Sequence, residues 1–210
     1  MNSKSWSGTA LILGATMATM AAAGMAKPGP AATKTTLPTW TPDSQLEQQL
    51  GINTKMYDFA IHPPEGWTLI HQPIRENGKL EHQFLWVGPK QNNVSPGMFL
   101  WTVPMSKKER ARYTADMALK HLMTQLKGIV SMVSPTITRS KTQRGIIGGD
   151  QFSRVYFKFP YPRINNTVHG FLYTGYHGSR AITFAAFDVE PGWTDTGAMC
   201  EASVLTFHKA

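Results

Sequence analysis

A single cysteine, Cys200, stands in 210 residues, so no disulfide can close within the chain. It lies far from the N-terminal segment, which excludes a lipidated N-terminal cysteine, and it reads as a small buried hydrophobe. Acids are scarce as well: 13 Asp+Glu stand against 21 Lys+Arg. The nearest acidic pair after the strand-like stretches, Asp188 and Glu190, flanks a Pro-Gly turn and reads as solvated. A glycosidase-type carboxylate pair is therefore not indicated. The seven histidines make no H-x-H, H-x-x-x-H or H-E-x-x-H. His169 and His177 share one strand face, but eight residues of strand hold them roughly 27 Å apart. No G-x-S-x-G elbow occurs, and Gly148–Gly149 lacks the spacing and the following helix of a phosphate loop. No metal, no cofactor and no enzyme activity is expected from these patterns.

Charge is almost missing from the first 26 residues, where Lys4 stands alone. Lys4 followed by SWSGTALILGATMATMAAAGMA (5–26) makes the lone positive charge, apolar run and small terminal residues of a secretory signal. Cleavage is expected near Ala23 or Ala26, with an uncleaved membrane anchor as the alternative. Either reading exports the remainder to a periplasmic or extracellular place. KPGPAATKTTLPTWTP (27–42) has a linker composition. A single globular domain is expected over 43–210. Without Lys4 the Lys+Arg count falls from 21 to 20, a formal +7 against the 13 acids. A basic exported chain suits a cell-envelope protein, anionic lipid or another acidic surface as partner. No nucleic-acid motif accompanies the charge.

What is present is a run of strand signals around one long helical pattern. Asp43 is placed to cap a short helix, SQLEQQLGI. YDFAI (57–61) alternates and stops at Pro63–Pro64, which supply no amide donors. Gly66 permits a turn, and Trp67 opens WTLI with a large ring to bury, so HPPEGWTLI (62–70) reads as a structural corner. LEHQFLWVG (80–88) and GMFLWTVP (97–104) read as a hairpin in which Phe84 meets Trp101 and Trp86 meets Phe99. SKKERARYTADMALKHLMTQLKGI (106–129) reads as one helix. Ser106 and Glu109 form its capping box, and Ala115, Ala118, Leu119, Leu122, Leu126 and Ile129 form its stripe. ITRSKTQRGI (137–146) is a polar strand, and Gly148–Gly149 a tight turn. QFSRVYFKF (151–159) buries Val155, Phe157 and Phe159 and shows Arg154, Tyr156 and Lys158 on its other face. Two strands flank Gly178–Ser179, and 194–208 has helical spacing. Strands, a long helix, strands and a final helix define an α+β class: an antiparallel sheet flanked by a central and a C-terminal helix.

These features together resemble the Mog1/PsbP-like superfamily, with its DcrB-like exported proteins. The carriers are F-x-I-x-x-P-x-G-W (59–67), the aromatic hairpin, the capped helix, the Gly-Gly turn and A-S-V-L-T-F (202–207). The resemblance covers about residues 55–209. It implies an α-β-α sandwich and a non-catalytic role in binding or assembly, and it transfers no individual functional residue.

Two surface features are candidates for that role. Lys107, Lys108, Arg110 and Arg112 crowd the start of the long helix, where the dipole disfavours cations by roughly 0.3–1 kcal/mol each. FPYPRINN (159–166) sets Tyr161 and Arg163, typical interface anchors, on a proline-stiffened loop. The expected function is an exported binding or assembly protein acting on a cell-envelope protein. The alternative is a small hydrophobic ligand or lipid module using an aromatic face around Trp86 and Trp101.

Overall fold

The computed structural model describes residues 36–76, 79–90, 94–130, 136–162 and 165–210, and the side chains within them except those of 74–76, 79–80 and 125–130. The signal-like segment, the linker up to residue 35, and Arg163 lie outside these residues.

The main sheet is antiparallel and eight-stranded. In spatial order it runs β3 (Thr68–Glu76), β4 (Lys79–Val87), β5 (Gly97–Pro104), β10 (Arg180–Val189), β9 (Asn166–His177), β8 (Asp150–Tyr161) and β6 (Thr138–Arg139), with β7 (Gln143–Ile147) also on β8. A small sheet joins β1 (Thr54–Met56), β2 (Phe59–Ile61) and β11 (His208–Lys209). One face of the main sheet packs on the small sheet and on α4 (Trp193–Leu205), burying Phe84, Trp86, Met98, Phe184, Cys200 and Phe207. The other face packs on α3 (Ala115–Val130), burying Trp101, Leu119, Leu122, Val155, Phe157 and Leu172. Two cores on two faces of one sheet make the α-β-α sandwich of an α+β protein.

The corner at 62–67 is structural. Gly66 has φ +74°, and the Trp67 amide donates to the Pro64 carbonyl at 3.4 Å. The corner is also tied to the end of α4. Ser203 Oγ donates to the His62 carbonyl at 2.6 Å, and Thr206 Oγ1 accepts the His62 amide at 2.8 Å. Two of the stretches that carried the family resemblance, 59–67 and 202–207, are thus hydrogen-bonded to each other.

Several boundaries differ from expectation. The hairpin register is Phe84↔Leu100 and Trp86↔Met98, one step from the expected pairing. Side chains alternate with period two, so one step moves a ring to the opposite face. Phe84 and Trp86 join the α4 core, while Phe99 and Trp101 join the α3 core. The long helix is two helices. α2 (Lys107–Arg110) ends at Ala111, and Thr114 restarts the chain by accepting the Met117 amide at 3.3 Å. Between them, Tyr113 reaches the sheet, its hydroxyl 3.2 Å from Thr183 Oγ1. The stretch 137–146 is split into β6 and β7. The final helix stops at Leu205, and residues 208–209 become a strand instead. The early helix shrinks to α1 (Ser44–Glu47), capped by Asp43 Oδ1 as expected.

The linker composition also runs too far along the chain. Residues 38–40 lie beside β7, through Trp40 N→Ile146 O and Ile146 N→Pro38 O, both 2.9 Å. Trp40 lies flat over Gly145, where an added Cβ would stand 2.4 Å from the ring. Gly145→Val is expected to expel Trp40 and lower stability by about 2 kcal/mol, read by denaturant unfolding, through lost ring burial. A variant as stable as wild type would show that Trp40 is not fastened there.

Candidate functional site

The basic cluster lies on α2 and, for Arg112, just past its end, and α2 is clamped to the sheet end. Ser106 Oγ accepts the Glu109 amide at 3.3 Å, and the Ser106 amide donates to Glu109 Oε2 at 2.7 Å, closing the expected capping box. Arg110 Nη1 donates to the Gly178 carbonyl at 2.8 Å. Tyr176 donates its hydroxyl to the carbonyls of Arg110 at 2.7 Å and Tyr113 at 3.1 Å. The Met105 amide donates to the Ser179 carbonyl at 2.9 Å. Arg110 is therefore half-buried and spent on the β9–β10 turn. Lys107, Lys108 and Arg112 remain exposed on a rigid platform. The cost of Lys107 and Lys108 to the helix is smaller than expected, because four residues align few peptide dipoles, and Arg112 lies past the helix end.

Tyr161 is not on a loop. It ends β8 opposite Asn166 and is half-buried against the α3 core. Arg163, its expected companion, lies outside the described residues. Nor do Trp86 and Trp101 share an aromatic face: they lie on opposite sides of the sheet at 1% and 6% exposure. Among the partly exposed apolar side chains on the α3 side is Phe99, 5.3 Å from Phe187 and 5.6 Å from Trp101.

A polar node that periodicity did not indicate lies between β8, β9 and α4. Glu201 Oε1 accepts from Tyr156 Oη at 2.5 Å, from Arg154 Nη1 at 2.9 Å and from Tyr173 Oη. Arg154 Nε donates to Gln143 Oε1 at 2.6 Å, and its guanidinium stacks 4.5 Å from the Trp40 ring. Burial, then the bond to Glu201, pushes the Tyr156 phenol up to about 12. Burial and the Glu201 charge raise the Tyr173 phenol further. Both phenols stay protonated donors, and the carboxylate oxygen that holds them is saturated. The node fastens α4 to the sheet. Its sequence trace is faint: Arg154 and Tyr156 on the non-core parity of β8, and Glu201 as the lone acid in the apolar half of α4.

Beside this node an open cleft of about 320 Å³ is lined by Thr138, Ser140, Tyr156, Lys158, His169 and Trp193. His169 is not free within it, because its Nε2 meets Glu190 Oε1 at 2.9 Å. Asp188, expected to be solvated, is 5% exposed and accepts the Val189 amide at 2.7 Å. Cys200 is fully buried, and desolvation holds its thiol far above the ordinary cysteine range, so it is no nucleophile.

The histidines form pairs rather than a cluster. His71 Nε2 and His82 Nδ1 stand 3.0 Å apart on β3 and β4. Burial, then His71 and Arg180, lowers the His82 pKa. His177 bridges Asp150, at 2.5 Å, and Asp58, at 3.3 Å, linking the small sheet to the main one. Among the described residues no group of three or more His, Cys, Asp or Glu could hold a metal ion. Among them, no helix is long and apolar enough to cross a membrane.

The class this architecture defines is the PsbP-like α+β fold. The solution structure of cyanobacterial PsbP (CyanoP) from Synechocystis sp. PCC 6803 aligns with a TM-score of 0.53, over 87% of this chain and 98% of that one, at 11% identity. That likeness is one of fold. No family model and no curated protein sequence matches the chain.

Proposed function

We propose that this chain is an exported, non-catalytic binding or assembly protein that docks on the acidic surface of a cell-envelope protein through Lys107, Lys108 and Arg112. The clamp under α2 carries this reading. Arg110, Tyr176, Met105 and the capping box hold three exposed cations in fixed relation to the sheet. A preorganised patch loses less side-chain and backbone freedom on binding than a flexible one. The export half of the proposal rests on the composition of residues 1–26. The finer placement among DcrB-like exported proteins belongs to the same reading.

The test uses the triple variant Lys107→Glu, Lys108→Glu, Arg112→Glu, with Arg110 left in place to keep the platform. Recovery of envelope partners is expected to fall at least about tenfold, the loss typical of reversing several cations in a steered interface. Wild-type recovery should also decline as salt rises. Because all three side chains are exposed, the melting temperature should not move. Equal recovery from both proteins, or recovery indifferent to salt, would remove the patch from the proposal. Binding to anionic vesicles without protein recovery would assign the patch to lipid instead.

A further inference from the structure

One row of the main sheet departs from the apolar pattern of its α3 face. Ser153, Thr174 and Thr183 stand in register across β8, β9 and β10. Two residues along each strand lies the apolar row Val155, Leu172 and Ala185. Three hydroxyls side by side are a poor surface for a helix to bury. α3 starts only at Ala115, and the break before it brings Tyr113 and Thr114 to this row instead. A cavity of about 210 Å³ is left between the break and the sheet.

The polar side chains of that cavity are all uncharged. Tyr113, Thr114, Gln151, Ser153, Thr174 and Tyr176 line it, and no Lys, Arg, His, Asp or Glu does. Thr174 is buried at its base, while Thr114 and Gln151 are exposed at its mouth. These groups are not all spent on each other. Tyr113 Oη, Thr183 Oγ1 and Thr174 Oγ1 form a chain with steps of 3.2 and 3.1 Å. Two bonds among three hydroxyls leave one proton over, and a head-to-tail chain puts it on Tyr113 or Thr174, at the cavity wall. Thr114 Oγ1 accepts the Met117 amide and keeps its own proton to give. Tyr176 spends its proton on the Arg110 and Tyr113 carbonyls and is left to accept. Among the described residues, Ser153 and Gln151 make no side-chain hydrogen bond.

We propose that this cavity binds one neutral sugar ring. The wall offers both unused protons and unused lone pairs, so a fitting ligand must donate and accept at several points, as a set of alcohols does. An anion would meet no cation in the lining, and a metal ion no carboxylate or imidazole. An apolar ligand would leave the hydroxyls unpaired, at a cost. The space equals that of about seven waters, which suits one pyranose with its hydroxyls and falls short of a drug-sized ligand. The rings of Tyr113 and Tyr176 add apolar surface for the C–H face of such a sugar. Lys107, Lys108 and Arg112 take no part in the lining, so the site stands independently of the proposed docking surface.

Saturation-transfer NMR on the full chain tests the site with D-glucose, D-galactose, D-mannose and N-acetyl-D-glucosamine. At least one of them should bind saturably, with a dissociation constant below about 10 mM. Ser153→Val should weaken that sugar about fivefold, the effect of one neutral hydrogen bond, and leave the melting temperature unchanged, because the Ser153 hydroxyl holds no partner in the fold. Ser153→Leu, which fills the cavity, should abolish binding. The methyl glycoside of the bound sugar separates the two sources of such a ring: equal binding assigns the site to a glycan end, and rejection assigns it to a free sugar. No saturable binding by any of these sugars up to about 50 mM overturns the proposal. So does binding that Ser153→Leu leaves intact, or tighter binding of glucuronate, inorganic phosphate or tetrahydropyran than of the neutral sugars.

Discussion

Trp86→Ala is expected to cost about 4 kcal/mol of folding stability, and Trp67→Ala about half as much. Trp86 is 1% exposed and lies in the core between the sheet and α4, opposite Met98 and beside Phe84 at 6.2 Å. Truncating it opens a cavity the size of an indole under the small sheet, and strands fixed on both sides cannot collapse into it. Trp67 is the more conspicuous residue in the sequence, because it follows the Pro-Pro corner. Its ring is only half-buried, however, and lies over Gly88, where an added Cβ would stand 2.7 Å from it. Part of its transfer free energy is thus never gained. Denaturant unfolding of both variants, with equal slopes, measures the difference. If Trp67→Ala proved the more damaging, the corner rather than the buried sheet face would dominate this core.

The second large effect is expected at Glu201. Glu201→Ala should destabilise by about 3 kcal/mol, because it leaves Arg154 and two phenols without their acceptor. Hydrogen bonds to a charged group contribute about 1.5–3 kcal/mol each, and here partial exposure lowers the sum. Arg154 and Glu201 side chains are 21% and 24% exposed, which admits water to the gap. The node also sets an alkaline limit. Below pH 10 the phenols are protonated in both folded and unfolded chains, and their contribution is complete. As pH rises from about 10 to about 12 the unfolded chain loses tyrosine protons that the folded chain retains, so stability falls. Tyr156→Phe should flatten that decline in melts recorded from pH 9 to 12. A Tyr156→Phe protein that loses stability across this window as steeply as wild type would place the alkaline transition elsewhere.

Much of the fold was legible because local chemistry dictates it. β5 has the bounds that its apolar alternation implied, Gly97–Pro104. The turn at Gly148–Gly149 takes φ +57° and +88°, and Gly148 also leaves room for the Phe207 carbonyl, which an added Cβ would overlap at 2.2 Å. The capping box at Ser106 and Glu109 closes as its spacing indicates. The break at 111–114 was less visible: no Gly or Pro marks it, yet Thr114 caps a second helix and the Tyr113 hydroxyl meets Thr183. Of the candidate site, Lys107, Lys108 and Arg112 stay accessible. Nothing in the sequence separates Arg110 from them, since its use depends on a turn 68 residues away.

By itself, then, the sequence determined the elements: strands from alternation, turns from glycine and proline, a helix start from its cap, and an α+β class from their order. These depend on interactions within a few residues. The tertiary structure alone decided which face each strand turns to which core, which cations are free, that Trp40 belongs to the body, and that Glu201 gathers Arg154, Tyr156 and Tyr173. A nine-residue connection between β4 and β5 leaves their phase open, and a shift of one residue exchanges the two faces. The node likewise joins residues up to 47 positions apart, so only packing of α4 on the sheet brings them within hydrogen-bond distance.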